Sequence, residues 1–448
     1  MRIAIIGSGI AGHAAALALT YAPQHHEVVL YEREGRAGGH AATVDVAWRG
    51  GTLPVDTGFI VYNEPNYPHL RAFFDWAGVA TQPSDMSFSV SAGHGAFEWC
   101  GAEGPGALGR LFAQRRNLAS PSFLNMLREI LRFQKQATAD LRHGSIGAVS
   151  LEAYLARHRF CARLQRDYLV PMGAAIWSTS PRAMLAFPAQ SFIEFFENHA
   201  LLQWQRPQWR TVTGGSRNYV ERLGVLLGDR IRLGRAVTAV TREPASVRVR
   251  DADGHEDHFD HVVLATHAPD SMALLTSPTP QERAIIGGLH TSQNRVVLHA
   301  DPALMPKRRR AWAAWNFLRL DGREGEKVSV TYWMNALQGL PADCPLFVSL
   351  NPPFEPDPAL VHAEFSYAHP QFDAAALVAR ARLPEIQGRD RISWCGAWTG
   401  HGFHEDGMRS GLEAAAALGG RAPWALPAAA PATPAPAILR LHQLAEVS

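Results

Sequence analysis

Residues 2 to 12 read Arg2-Ile3-Ala4-Ile5-Ile6-Gly7-Ser8-Gly9-Ile10-Ala11-Gly12 and lead into an Ala- and Leu-rich stretch that ends near Tyr21. The apolar run before Gly7 predicts a buried strand, and the Ala-rich stretch predicts a helix. In such a unit Gly7 permits the tight turn, Gly9 lets the backbone approach a pyrophosphate, and Gly12 lets helix and strand pack closely. The free N–H groups at the start of the helix would face the phosphates.

A second predicted strand, residues 27–31, ends at Glu32, which lies 20 residues after Gly12. At this spacing a carboxylate meets a ribose hydroxyl in dinucleotide-binding folds. The alternative is a Gly-rich turn without a ligand. Because strand, helix, second strand and acid all agree, the sequence favours a dinucleotide site.

The next nine residues extend this motif with the pattern E-x-x-x-R-x-G-G, formed by Glu32, Arg36, Gly38 and Gly39 and followed by His40. Here the chain resembles the superfamily of flavin-containing amine oxidases, phytoene desaturases and protoporphyrinogen oxidases. It is most similar to a bacterial branch labelled only as predicted NAD/FAD-binding proteins. The resemblance implies an FAD cofactor, wrapped at its diphosphate and ribityl chain by this extension. We expect the flavin to be held non-covalently, because Cys395 lies within a predicted strand; His401 and His404 stay open as points of attachment.

Residues 391 to 418 carry the second motif, a strand that ends at Gly396 and a helix that begins within residues 402–411. In the superfamily the N-terminus of this helix points at the pyrimidine edge of the flavin, where a helix dipole stabilises the negative charge of the reduced ring. Two residues depart from the amine oxidases: Asp406 replaces a glycine, and Phe403 replaces a tyrosine of the aromatic cage.

Two further parts of the chain complete the implied site. The segment from Asp56 to Phe59 is either a passage beside the flavin or a plain tight turn after a strand, and Val237 matches the residue whose backbone meets the adenine. The resemblance therefore implies these FAD contacts: Gly7, Ser8, Gly9, Ile10, Ala11, Gly12, Glu32, Arg33, Arg36, Gly38, Gly39, His40, Thr57, Gly58, Phe59, Val237, Gly396, Glu405, Asp406, Gly407 and Met408.

The fold class that follows is α/β. A discontinuous Rossmann-type FAD domain is expected from residues 1–85, 205–270 and 388–420. An α+β substrate domain, with a mixed or antiparallel sheet and a helical cap, is expected from residues 86–204 and 271–387. Residues 421–448 are rich in Pro and Ala and predict a tail without chemistry.

Composition excludes several other classes of protein. The 448 residues carry 43 basic and 41 acidic side chains, so the net charge of +2 gives no reason to expect nucleic acid. The four cysteines are far apart and form no C-x-x-C, so we expect neither a disulfide framework nor a metal site, and a cytoplasmic location. No apolar run is long enough to span a membrane.

The segment from Pro105 to Arg142 combines apolar residues at helical spacing with a charge of about +5. A basic amphipathic segment can lie on the anionic inner face of a membrane. More often such a segment is only the solvated face of a helix. Both interpretations stay open, and the first makes the protein a peripheral partner of the membrane.

Only one dinucleotide fingerprint is present, so we expect the substrate to reduce the flavin. Oxygen, a quinone or a partner protein would then reoxidise the reduced flavin. The preferred hypothesis is a desaturase- or oxidase-type oxidoreductase that takes a hydride from an apolar, lipid or isoprenoid-like substrate. The alternatives are an amine oxidase and a flavin-binding protein without net redox turnover, such as an isomerase. Candidates for the substrate pocket are Tyr332, Asn335, Phe403 and His404.

Overall fold

The computed structural model describes residues 1–102, 104, 106–202, 207–320 and 327–424. The strands are β1 Arg2–Ile6, β2 Glu27–Tyr31, β3 Thr43–Trp48, β4 Gly51–Asp56, β5 Tyr62–Asn63, β6 Thr81–Ser84, β7 Phe88–Ala92, β8 Phe97–Gly101, β9 Trp209–Val212, β10 Ile231–Arg232, β11 Val237–Arg242, β12 Val247–Asp251, β13 Glu256–Phe259, β14 His261–Leu264, β15 Thr291–His299, β16 Trp315–Arg319, β17 Val330–Trp333, β18 Phe347–Leu350, β19 Val361–Pro370 and β20 Ile392–Trp394.

The helices are α1 Ile10–Thr20, α2 Pro68–Ala77, α3 Ala107–Leu111, α4 Pro121–His143, α5 Leu151–Arg157, α6 Ala162–Leu164, α7 Val170–Trp177, α8 Pro181–Ala186, α9 Ala189–Asn198, α10 Arg217–Leu227, α11 Ala268–Leu274, α12 Pro280–Ile286, α13 Met334–Gln338, α14 Ala374–Arg382 and α15 His404–Ala416. A π-helical segment, Gln165–Leu169, joins α6 to α7.

A five-stranded parallel sheet in the order β10-β2-β1-β14-β20 organises the first half of the molecule. Its strands are apolar along their length because helices and a second small sheet cover both faces. The carboxyl ends of β1, β2, β14 and β20 share one edge of the sheet. The strand order reverses between β1 and β14, and ligands of open α/β sheets bind at such a point.

A seven-stranded mixed sheet in the order β19-β15-β18-β17-β16-β7-β8 forms the second half, and the helices α4 to α9 pack against it around a large aromatic core. The pair β7–β16 is parallel and the other pairs are antiparallel. The sequence did not identify β7 and β8 as members of this sheet, because they join it through the pairing of β7 with β16, which lies more than 200 residues later in the chain.

The predicted α/β fold class is confirmed. One strand is shorter than expected: β20 ends at Trp394, because Gly396 adopts a φ of +155° and turns the chain into a short 3₁₀ segment, Ala397–Thr399. The domain limits at residues 85, 205, 270 and 388 remain predictions, and residues 425–448 lie outside the described part of the chain. Among the described residues, none of the helices has the length and apolarity that crossing a bilayer demands.

Candidate functional site

The turn between β1 and α1 has two tightly packed glycines and one open glycine. Gly7 has a φ of +104° and donates its N–H to the Tyr31 carbonyl at 2.8 Å. A Cβ on Gly12 would lie 1.9 Å from the Gly7 oxygen, whereas a Cβ on Gly9 would meet no protein atom within 4 Å. Gly9 therefore exposes backbone to open space, where an elongated ligand has room.

The first turn of α1 also lacks a capping side chain, since Gly9 occupies the N-cap position. Its leading N–H groups and positive dipole end are therefore available to an anion. Ile10 and Ala11 are buried, so only their backbone can serve a ligand. The open space and the uncapped helix together fit a pyrophosphate.

Glu32 stands at the carboxyl end of β2, directly beside this turn. One of its oxygens, Oε2, accepts hydrogen bonds from the backbone N–H and the hydroxyl of Ser8, at 3.0 and 2.5 Å. The other, Oε1, accepts the Glu34 N–H at 3.0 Å. The carboxylate is thus fixed next to the turn, as a ribose-binding acid would be, while the neighbouring Arg33 points to solvent and pairs with Glu34.

The extension after Glu32 folds back over the Gly-rich turn. Gly38 has a φ of +110° and donates its N–H to the Ser8 carbonyl at 3.0 Å. A Cβ on Gly39 would lie 3.2 Å from Gly9 Cα, so the two glycines adjoin. The Arg36 guanidinium holds the extension together by donating to three of its carbonyls, including that of Gly39 at 3.1 Å.

His40 lies in a cluster of aromatic and imidazole rings. Its ring centroid is 5.2 Å from that of Tyr367 and 5.6 Å from those of His267 and His369. Burial, followed by the neighbouring histidines, holds the pKa of His40 well below its usual range, so the imidazole is neutral. Its Nε2 is buried and has no partner among the described residues.

The segment from Thr57 to Phe59 packs closely on the extension. A Cβ on Gly58 would lie 2.0 Å from the His40 carbonyl oxygen, so this glycine is explained by protein packing alone. Thr57 Oγ1 shares a hydrogen bond of 2.9 Å with Tyr367 Oη. The Phe59 N–H donates to the His40 carbonyl at 2.8 Å. The segment thus joins the Gly-rich extension to β19.

The helix α15 begins beside the start of α1. A Cβ on Gly407 would lie 2.7 Å from Ile10 Cγ2, and one on Gly411 would lie 2.1 Å from the Ala11 carbonyl oxygen. Glycine at these two positions allows the helices to cross at close range. As a result, the positive ends of both dipoles meet at the same edge of the parallel sheet.

Asp406, the first departure from the superfamily pattern, caps α15 and braces the loop before it. Its Oδ2 accepts the N–H groups of His401 and Phe403 at 2.9 and 3.1 Å, and its Oδ1 accepts from Arg409 at 3.1 Å. A Cβ on Gly400 would lie 2.0 Å from Oδ1. The carboxylate is therefore part of the loop, while Met408 is buried in the core behind it.

Glu405 stays a predicted cofactor contact through its backbone at the start of α15, because its carboxylate binds another helix. Its two oxygens accept the N–H groups of His69 and Leu70, at 2.9 and 3.0 Å, in the first turn of α2. Burial raises the pKa of Glu405 to about 7. The side chain therefore anchors α2 to α15.

Two of the four pocket candidates have structural roles instead. His404 stacks on Phe59 with centroids 3.7 Å apart, and its Nε2 lies 2.9 Å from the Tyr219 hydroxyl. Burial lowers the pKa of His404 to about 3. Asn335 donates to the carbonyls of Pro341 and Cys344 and accepts the Leu346 N–H, so both of its N–H donors are used within the protein.

The other two candidates border the aromatic core of the second half. Tyr332 meets Trp315 edge-to-face at 4.9 Å, and its hydroxyl has no hydrogen-bond partner within the described ranges. Phe403 stacks on Phe195 of α9 at 5.1 Å.

Val237, the predicted adenine contact, lies at a bulge where β11 leaves regular register with β12. Gly396 donates to Ser410 Oγ at 2.9 Å in the loop before α15.

The sequence reasoning missed a row of stacked rings that continues from Phe403. Phe195 stacks on His199 at 3.8 Å, and His199 lies 6.4 Å from Trp209 in a nearly parallel orientation. We call Phe403, Phe195, His199 and Trp209 the aromatic row. The helical spacing of Phe192, Phe195, Phe196 and His199 in the sequence is the signal that could have revealed it.

His199 is the polar member of the aromatic row. Its Nδ1 lies 3.0 Å from the Phe195 carbonyl, and burial lowers its pKa to about 4, so the ring is neutral and Nδ1 donates. The lone pair therefore belongs to Nε2, which makes no hydrogen bond to any described residue.

The chain matches one protein-family model and several solved structures. The family model described as flavin containing amine oxidoreductase matches residues 10–342. No curated protein matches the chain. Among solved structures, putrescine oxidase bound to putrescine is similar at 15% identity and a TM-score of 0.66, over 93% of this chain and 99% of the other.

Two other solved structures are similar over 93% of this chain and 98% of their own. Cyclohexylamine oxidase from Brevibacterium oxydans IH-35A is 16% identical with a TM-score of 0.65. A fatty acid isomerase from P. acnes that produces CLA is 14% identical with a TM-score of 0.63. At these identities the likeness establishes the fold alone.

Proposed function

The chain belongs to the flavin-containing amine oxidoreductase family and is an FAD-dependent enzyme, and within this family we propose that it oxidises an apolar, lipid-like substrate. We propose that FAD lies along the carboxyl edge of the parallel sheet. Its diphosphate would lie over Gly9 and the start of α1, a ribose against Glu32, and the adenine at the backbone of Val237. The ring would lie between the start of α15 and the aromatic row.

The aromatic row is the observation that supports an apolar substrate. Its four rings are uncharged: three are hydrocarbon or indole, and the imidazole of His199 has a pKa lowered to about 4. Transferring an ammonium group from water to a buried site without an ionic partner costs roughly several kcal/mol of desolvation free energy. An alkyl or alkenyl chain has no such cost and gains by burial against aromatic faces.

The lysines also argue against the amine oxidase alternative, because many enzymes of that type are expected to hold a water with a lysine at the flavin. Lys307 lies against Gly95, and Lys327 donates to the Gln293 carbonyl at 2.7 Å. Lys135 is exposed on α4. None of the three forms a hydrogen bond with a member of the aromatic row.

When bound, the flavin supplies a hydride acceptor. The chain would supply the groups that orient the substrate and receive the accompanying proton. Phe403 and Phe195 offer flat faces to an extended chain, and Tyr332 offers a hydroxyl that is not otherwise hydrogen-bonded. His199 Nε2 carries a free lone pair, so we assign it as the proton acceptor.

A second candidate function is isomerisation without net redox turnover. It is favoured by the similar structure of the P. acnes fatty acid isomerase, which combines a lipid substrate with an isomerase activity. Both candidates share an apolar chain as the substrate. They differ in whether reduced flavin accumulates when no electron acceptor is supplied. For the oxidoreductase, oxygen is the first electron acceptor to test, followed by quinones and a partner protein.

The test is flavin reduction under anaerobic conditions, which is measured as a loss of the visible flavin absorbance. The purified protein is mixed with a fractionated lipid extract or with a panel of mono- and diamines. We expect a lipid fraction to bleach the flavin and the amines to leave it oxidised. Bleaching by amines alone would refute the proposal. A lipid that is converted while the flavin stays oxidised would favour the isomerase.

A further inference from the structure

The surface formed by α3, α4 and the segment between them exposes an unusual set of aliphatic side chains. Leu108, Leu118, Leu124 and Leu131 are between 44% and 70% exposed. They account for four of the ten large hydrophobic residues that are exposed in the described chain. Such a group of neighbouring exposed leucines marks an interaction site more often than isolated ones do.

The same surface carries only positive charge along α4. Leu124, Arg128, Leu131 and Lys135 follow one another at helical spacing on its exposed side. The acid of this helix turn, Glu129, is buried and is held by both Nε and Nη2 of Arg132, at 2.8 and 2.6 Å. Its charge is therefore neutralised and does not oppose a negatively charged partner.

A second basic run, distant in sequence, joins this surface at the turn between β7 and β8. The Arg116 guanidinium donates to the Ala96 carbonyl, and the aliphatic stem of Lys307 lies against Gly95. Arg110 of α3 also donates to the Trp312 carbonyl at 2.7 Å. Residues 307–310, which in the sequence resemble a solvated charged turn, thus extend the basic surface of α3 and α4.

The basic charge of this second run is only partly compensated. Arg308 pairs with the buried Glu98 at 2.8 Å. Lys307, Arg309 and Arg310 are exposed, and none of them forms an ion pair with a described residue. Arg309 lies flat over Trp312, 3.6 Å from the ring centroid, so its charge stays at the surface beside an indole.

We propose that this surface docks the protein on an anionic lipid bilayer. We call it the basic–leucine surface: Leu108, Arg115, Arg116, Leu118, Leu124, Arg128, Leu131, Lys135, Lys307, Arg309 and Arg310. Leucines alternating with arginines and lysines suit a bilayer, because the apolar side chains enter the acyl boundary while the cations remain among the headgroups. An acidic protein would match the charges but leave the exposed leucines without an apolar partner.

This inference rests on the lipid-like substrate of the proposed function and extends the interpretation of residues 105–142 as a segment on the membrane, which the sequence left open. It adds the second basic run and names the contacting side chains. Vesicle binding tests the surface without reference to catalysis. Flavin reduction by detergent-dispersed lipid tests the catalytic proposal without vesicles, so each idea can fail alone.

The experiment is flotation of the flavin-loaded protein with vesicles of phosphatidylcholine, either pure or containing phosphatidylglycerol. We expect flotation with the anionic vesicles at low salt, little with pure phosphatidylcholine, and loss of binding at high salt. The double variant Arg115→Glu, Lys307→Glu should lower the partition coefficient about 25-fold or more, at roughly fivefold per basic residue. The double variant Leu118→Gln, Leu131→Gln should lower it even at low salt.

Matched controls make comparable changes of charge and apolarity elsewhere on the surface. The double variant Arg250→Glu, Arg389→Glu makes the same change of charge at two exposed arginines. Val225→Gln alters a side chain of α10 that is 74% exposed. These variants should float like the wild type, and all variants should keep their flavin. No flotation of the wild type, equal binding to both vesicle types, or equal losses in the control variants would overturn the proposal.

Discussion

Replacing Gly9 by valine should remove FAD while leaving the fold intact. A Cβ at residue 9 meets no protein atom within 4 Å, and the backbone there has an ordinary extended conformation with a φ of −67°. A side chain is therefore tolerated by the protein, at a cost of about 1 kcal/mol for an unfavourable N-cap residue. The same side chain fills the space into which the diphosphate must come.

The size of the effect follows from the hydrogen bonds that would be lost. If the valine separates the diphosphate from two N–H groups at the start of α1, the loss is about 1.5–3 kcal/mol for each charge-assisted bond. Two such bonds correspond to a rise in Kd of roughly 10² to 10⁴. The purified Gly9→Val protein should therefore be colourless, and excess FAD should not restore the flavin spectrum.

The matched control is Gly12→Ala, which adds a smaller side chain at a glycine that is closed off. Its Cβ would lie 1.9 Å from the Gly7 carbonyl oxygen, so this variant should disturb the fold itself. Calorimetry of flavin-stripped protein should show a small change in Tm for Gly9→Val and a large loss for Gly12→Ala. A full flavin spectrum in Gly9→Val, or an equal loss of Tm in both stripped variants, would refute the assignment.

Four further predictions concern other parts of the site. Glu405 has a folded pKa raised to about 7 against about 4.3 in an unfolded chain, so its stabilising contribution is full below about pH 4.3 and is lost as the pH rises through 7. The Tm of the wild type should therefore fall relative to that of Glu405→Gln between about pH 5 and pH 8, and parallel curves would contradict this. Acid precipitation should release the flavin, because Cys395 is buried with a pKa raised to about 12 and is no nucleophile; colour that stays in the pellet would show covalent attachment. Truncation after Trp424 should leave Tm and flavin content nearly unchanged, whereas Trp424→Ala should cost about 3 kcal/mol since its ring packs on Phe73 at 5.5 Å; equal losses would mean that the tail also packs. The substitution His199→Phe keeps a ring in the aromatic row but removes the proton acceptor, so it should slow flavin reduction by about 10² to 10⁴ with flavin content unchanged, and an unchanged rate would exclude that role.

The sequence was sufficient to predict those strands and helices whose pattern depends on neighbouring residues. Each predicted element of the first 32 residues is present, because alternation between apolar strands, glycines and an Ala-rich helix is determined by near neighbours. The hairpin β3–β4 and the start of α10 after Ser216 also follow from local signals, the Gly50-Gly51 turn and the Gly214-Gly215-Ser216 segment.

The sequence could not predict the contacts of side chains that pack on a distant segment of the chain. The Glu405 carboxylate binds residues 69 and 70, which are more than 330 positions earlier, and His404 packs on Phe59 and Tyr219. Adjacent residues at a helix start point in different directions, so a motif match identifies the segment but not the direction of each side chain.

The dinucleotide-binding motif does not explain the imidazole rings around the site. These rings share one property, which is that they are uncharged. Burial is the first cause that lowers the pKa of each of His40, His199, His369 and His404, and the rings pack against one another or against aromatic faces. These rings therefore add polar atoms without adding charge. The positive potential that an anionic cofactor needs can come instead from the adjoining starts of α1 and α15, whose dipole ends are fixed in the backbone and do not titrate. Fixed backbone dipoles suit a charged cofactor, and the uncharged rings of the aromatic row suit the apolar substrate that we propose.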